Sequence, residues 1–150
     1  MLNSNGTVKS YQEVSVSAGG FAGVAQSGDE VASVCNIGDF DGDGVTDLAV
    51  GAQGDDDGGS NRGAIYLMMM NPNGTVKSYS KISDTQGGFT GGLDNGDKFG
   101  FEVNVLGDID GNGVVDLITG CIGDDDGGSN QGAIWILMLD SNGTVINQSI

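Results

Sequence analysis

The chain has 150 residues, 29 of them glycine and one proline, with no histidine and a net charge of −16. A surface this acidic cannot neutralise phosphates, which argues against nucleic acid as a partner, and an anionic membrane surface repels it. The longest apolar stretch, Ala133–Leu139, is far too short to span a bilayer, and Met1–Ser10 has neither the basic nor the apolar region of a signal peptide.

In chain order, the first predicted element is Thr7–Val16, an outer strand entered through the turn Asn5-Gly6. Val31–Ile37 and Val45–Gly51 are the next two strands, separated by an acidic loop. Ala64–Met70 follows as an apolar run, in which Met68-Met69-Met70 reads as core filling. The hairpin turn Asn73-Gly74 leads to a polar outer strand at Thr75–Ile82. The second half has the same succession. Phe99–Leu106 places Phe99, Phe101, Val103 and Val105 at a period of two. Val114–Cys121 is a short run bounded by glycines. Ala133–Leu139 is continuously apolar, as in a strand buried on both faces, with Trp135 in the core. Asn142-Gly143 opens the polar strand Thr144–Ile150. Cys35 and Cys121 lie in predicted strands at non-equivalent places, which implies free thiols rather than a disulfide framework.

This succession is an internal repeat. Gly54–Ile65 and Gly123–Ile134 differ only at Arg62/Gln131, and they lie 69 residues apart. Asn-Gly-Thr-Val occurs at Asn5, Asn73 and Asn142. The repeat divides the chain into 1–16, a leftover outer strand of a preceding unit, and two four-stranded units, 17–82 and 83–150. Short strands at even spacing, with no 3.6-residue period, point to an all-β protein of two antiparallel β-propeller blades. Such units stack face to face, and repeat folds need three or more of them to bury their faces. Completion by homo-oligomerisation is therefore expected: three chains make six blades and four make eight.

The acidic loops carry the chemistry. Asp39-Phe-Asp41-Gly-Asp43-Gly44-Val45-Thr-Asp47 and Asp108-Ile-Asp110-Gly-Asn112-Gly113-Val114-Val-Asp116 both follow D-x-D-x-[DN]-G-x-x-D. Ca²⁺ takes six to eight oxygens, and a chain curling round the ion presents side chains at positions 1, 3, 5 and 9 and a carbonyl at position 7. The predicted ligands are Asp39, Asp41, Asp43, Val45 (carbonyl) and Asp47 in one loop. In the other they are Asp108, Asp110, Asn112, Val114 (carbonyl) and Asp116, giving two Ca²⁺ per chain. Neither loop is an EF-hand, since position 12 is Val50 or Thr119 rather than glutamate. The acidic triplets Asp55–Asp57 and Asp124–Asp126 read as solvated turns.

Phe99-Gly100, the Asp108–Asp116 loop and the triplets Gly51-Ala52-Gln53 and Gly120-Cys121-Ile122 together resemble the FG-GAP repeat, which builds the β-propeller of integrin α subunits and of bacterial surface proteins. The resemblance implies a blade with Ca²⁺ between its first two strands, held by the aspartates and Asn112 named above. The first unit departs from it, with Val31-Ala32 where Phe-Gly is expected and one residue fewer before the loop. A non-catalytic binding or adhesion scaffold follows, extracellular or at the cell surface, with an extracellular protein or glycan as a partner. The alternative is a purely architectural self-assembling piece. Catalysis is disfavoured, because the aspartates belong to the metal loops and no nucleophile–base pair is present.

Overall fold

The computed structural model describes residues 1–22, 25–129 and 131–150. Eight strands form two separate four-stranded antiparallel meanders. The first is β1 (Val31–Gly38), β2 (Asp47–Ala52), β3 (Ala64–Met70) and β4 (Val76–Ser83). The second is β5 (Phe99–Gly107), β6 (Asp116–Cys121), β7 (Ala133–Leu139) and β8 (Val145–Ser149). In both, the strand order across the sheet is the order along the chain. Adjacent hairpins need only short connections, which the Asn-Gly turns supply. The backbone N–H of Asn71 donates to Thr75 O at 2.8 Å and that of Asp140 to Thr144 O at 2.9 Å.

The two sheets stack through one apolar core. Ala49, Ile65, Leu67, Met69 and Ile82 of the first sheet meet Phe99, Val103, Leu117, Leu137 and Leu139 of the second. We call this side of the first sheet its front. Its back carries Val50, Ala64, Tyr66, Met68 and Met70, closed by Phe21 and Ala25 from the preceding loop. Phe21 lies edge-on to Tyr66 at 5.1 Å. Phe89, its counterpart, packs edge-on to Trp135 at 5.0 Å. Each connecting loop is pinned to the outer strand of its own unit, by Val76 N–H donating to Gly19 O and Val145 N–H to Gly87 O.

The seam between the sheets is built from glycine. A Cβ on Gly51 would lie 1.9 Å from Gly100 O, and one on Gly63 2.0 Å from Phe99 O. Gly100 itself has φ +83°, with Ala64 O 2.3 Å from where its Cβ would be. Only glycine combines that backbone with that approach. A backbone ladder extends the seam: Gly96, Lys98 and Phe99 N–H donate to Ser60, Asn61 and Arg62 carbonyls at 2.9, 3.1 and 2.9 Å. This contact gives the recurring run Gly54–Ile65 a structural reason, since that loop is the surface on which the next unit sits.

Four sequence expectations need correction. Residues 7–16 form no strand; Leu2 and Val8 make a single antiparallel bridge over the Asn5-Gly6 turn, and Tyr11 is 90% exposed. The outer place in each sheet is held by β4 and β8, and residues 7–16 pair with neither sheet. Secondly, β7 is not buried on both faces: Trp135, Leu137 and Leu139 are buried, whereas Ile134 is 59% exposed. The equivalent β3 is buried throughout. The difference is that the second sheet covers the front of the first, and nothing among the described residues covers the front of the second. Thirdly, Phe101 is exposed, because the pairing shifts between Phe99↔Cys121 and Val103↔Thr119 and breaks the alternation. Lastly, Asp55 and Asp124 are buried, not solvated. Asp55 accepts from the Tyr66 hydroxyl at 3.1 Å and pairs with Lys81 at 2.8 Å, and Lys81 also reaches Asp57 at 2.8 Å.

The cysteines are free, Cys121 buried and Cys35 half-buried. Burial, together with Asp97 and Asp124 nearby, pushes the Cys121 thiol far above its ordinary range, so it is an inert core side chain. The three methionines of β3 fill core, as expected.

Candidate metal centres

The acidic loops connect β1 to β2 and β5 to β6. Among the described residues, two clusters of carboxylates are close enough to share an ion: Asp39, Asp41 and Asp43, and Asp108, Asp110 and Asp116. Within each, one oxygen per residue lies within 4.8 Å of the others. Asp39, Asp41, Asp43, Asp108, Asp110 and Asn112 are exposed, while Val45 and Val114 are half-buried and pack against the cores.

The two loops share several internal bonds. Gly44 N–H donates to Asp39 Oδ2 and Gly113 N–H to Asp108 Oδ2, both at 2.9 Å. Val45 N–H donates to Asp43 Oδ1 at 2.9 Å and Val114 N–H to Asn112 Oδ1 at 2.7 Å. The curl needs left-handed backbone at two positions. Gly42 and Gly44 have φ +76° and +85°, and Gly111 and Gly113 have +80° and +89°.

Position 9 has a second duty that the sequence did not reveal. Asp47 is fully buried; its Oδ2 accepts from Phe40 N–H and its Oδ1 from Met70 N–H, both at 2.8 Å. Asp116 repeats this with Ile109 at 2.8 Å and Leu139 at 2.9 Å. Each aspartate therefore ties its loop to the end of the third strand. The strands begin at these residues rather than at Val45 and Val114, because residues 45–46 and 114–115 remain in the curl.

The loops differ in their cations. Lys77 on β4 reaches Asp41 Oδ2 at 2.5 Å and also contacts Asp43 Oδ2. Its hydrogen bond holds the Asp43 carboxyl below the ordinary carboxylate range. No lysine among the described residues contacts the second loop; there the Asn112 amide donates to Asp110 Oδ2 at 3.2 Å and to Leu139 O at 2.8 Å. Clustered carboxylates repel unless a cation sits among them. The oxygen-only donor set, with glycine-permitted curls, fits Ca²⁺ better than a softer metal.

Stacked four-stranded meanders with an acidic loop between the first two strands define a repeat protein built of β-propeller-type blades. Residues 31–68 match the family model described as FG-GAP repeat. Integrin alpha-5 of Xenopus laevis is 35% identical over 103 residues, which cover 69% of this chain and 9% of that protein. The chain is a member of the FG-GAP, integrin-like repeat family, a non-enzymatic family. It spans less than a tenth of the length of the curated relative it matches. The Gly51–Gly100 seam gives the family's two short motifs a shared physical reason: they touch across the blade interface.

Proposed function

We propose that the chain is a calcium-binding blade module serving as a non-catalytic binding scaffold, extracellular or at the cell surface. The supporting observation is the pair of carboxylate clusters, each within 4.8 Å, on equivalent loops of the two units: Asp39, Asp41 and Asp43 in the first, Asp108, Asp110 and Asp116 in the second. Asp39, Asp41, Asp43 and Asp47 would hold one ion, and Asp108, Asp110, Asn112 and Asp116 the other, with the Val45 and Val114 carbonyls completing the sets. Calcium would brace each loop against its sheet and add four positive charges to a net charge of −16. Affinity in the range of about 10⁻⁴–10⁻³ M suits an extracellular module. Thermal unfolding in excess CaCl₂ and in EDTA tests this. At about 100 times Kd each site adds about 2.7 kcal/mol, so the melting temperature should rise by several degrees, and an unchanged value would reject the calcium reading.

We further propose that the module completes itself with copies of its own chain, three or four in a ring. The front of the second sheet supports this. It is an open groove of about 910 Å³ lined by Ile118, Gly120, Ile122 and Ile134. Gly120 is the counterpart of Gly51, and a Cβ added there would have nothing within 4 Å. A β1 strand from a neighbouring copy would fill the groove, but less closely than β5 fills the first one. Ala32 stands where Gly100 does, and a Cβ at Gly100 would be 2.3 Å from a carbonyl. The double substitution Val31→Phe with Ala32→Gly should therefore tighten self-association in sedimentation velocity. A strictly monomeric parent chain would reject the ring and leave a scaffold completed by other blades. Partners at the rim, a protein or a glycan, are to be sought by array screening.

A further inference from the structure

We infer that Lys77 is a resident counter-ion of the first loop that calcium must displace, so the two loops are unequal calcium sites. The inference rests on the calcium reading above. Lys77 reaches across from β4 to Asp41 and Asp43, two of that loop's three clustered carboxylates. Its ammonium stands where a bound cation would have to be, and its N–H groups engage oxygens that the ion would need.

The second unit is the internal control. The residue 69 positions after Lys77 is Ile146, 55% exposed, and the counterpart of Asp43 is Asn112. The exchange removes one charge of each sign. Four aspartates and a lysine in one loop, and three aspartates in the other, both leave a formal charge of −3. Paired loss of Asp43 and Lys77 is what their contact predicts, because a fifth-position carboxylate without the lysine would add repulsion to the metal-free loop. The bonds from Gly44 and Val45 N–H recur at Gly113 and Val114, so the clearest contrast between the loops is the ammonium held against the carboxylates of the first.

The consequences run in opposite directions with and without metal. Without calcium, Lys77 neutralises part of the first loop and holds it closed, whereas the second loop relies on the Asn112 amide. With calcium, an ammonium about 5 Å from a divalent ion in near-aqueous surroundings weakens binding by about tenfold. The first site therefore binds calcium more weakly than it would without the lysine. The lysine is partly exposed, its side chain 37% accessible, so it can swing into solvent when the ion enters.

Calorimetric titration with CaCl₂ on single-site chains tests this. Asp110→Ala leaves the first loop and Asp41→Ala leaves the second. Adding Lys77→Ile to the Asp110→Ala chain should tighten calcium about tenfold and should lower the melting temperature in EDTA. Adding Ile146→Lys to the Asp41→Ala chain should weaken calcium by a similar factor. Unchanged or weaker binding on Lys77→Ile, in a chain that does bind calcium, overturns the displacement while leaving the calcium sites standing. No binding by the parent chain overturns both.

Discussion

Gly51 and Gly120 occupy the same place in their units, yet one is under a blade and the other is open. Gly51→Ala would set a Cβ 1.9 Å from Gly100 O, against the 3.4 Å at which ordinary contact begins. The two sheets would have to part by about 1.5 Å at that point, and a radial gap of about 0.5–1 Å already forfeits a quarter to a half of the dispersion well of each atom pair. The obstacle is backbone, which cannot swing away. A destabilisation of about 3 kcal/mol follows, at the upper end for overpacking. Gly120→Ala meets nothing, and replacing a glycine at a permitted backbone conformation contributes about 0.4–1 kcal/mol through the unfolded chain. Urea unfolding of both variants, at protein concentrations low enough to keep single chains, measures the difference. Equal effects of the two substitutions would refute the packing described for the seam. Repeated at high concentration, the Gly120→Ala variant becomes a probe of assembly, since a blade seated on that groove would meet its methyl group.

Other expectations follow from the loops and their surroundings. In EDTA, Asp47→Ala should cost about 3 kcal/mol, because it leaves the buried N–H of Met70 and the part-buried N–H of Phe40 without acceptors, whereas Asp39→Ala at the exposed first position should cost less than about 1 kcal/mol; similar losses would contradict the anchoring role given to position 9. Lys81→Met should destabilise the first unit by about 3 kcal/mol in denaturant melts, since it strands the buried Asp55 carboxylate. Burial holds the Asp97 carboxyl above its ordinary pKa of 3.8, with Asp124 and other aspartates adding to it. A carboxyl that protonates more readily folded than unfolded stabilises the fold below that ordinary value, and this contribution fades as the pH rises through the raised one. Asp97→Asn should therefore raise stability at pH 7 and give little at pH 3.5, and an equal gain at both would count against burial as the cause.

Much of the fold was legible because local chemistry and global pattern agree. Asn-Gly turns fix the hairpins, and the repeat supplies the same strand order twice, so six of the eight strands lie within a residue or so of where alternation and apolar runs put them. The acidic loops were legible for a similar reason: every ligand candidate lies within nine consecutive residues. Long-range partners were not. Lys77 and Lys81 look like ordinary solvated lysines on a polar strand until β4 folds back over the first unit. The bulge at Gly100 was hidden because Phe99, Phe101, Val103 and Val105 alternate in sequence regardless of how the backbone turns between them. Residues 7–16 misled for the opposite reason. They copy the start of β4 nearly residue for residue, but a strand also needs a partner strand, and the third-strand partner that β4 has in β3 is not supplied to them among the described residues.

The seam also has a direction. Gly100 of one unit meets Gly51 of the other, so the surfaces brought together are different ones and the contact is heterologous. A contact of this kind repeats head to tail, and it ends only when the rotation per unit closes on itself; otherwise it runs on as a filament. For any such stack, the rotation from one unit to the next separates ring from fibre, and the close approach at Gly51 and Gly100 is one of the contacts that fix it.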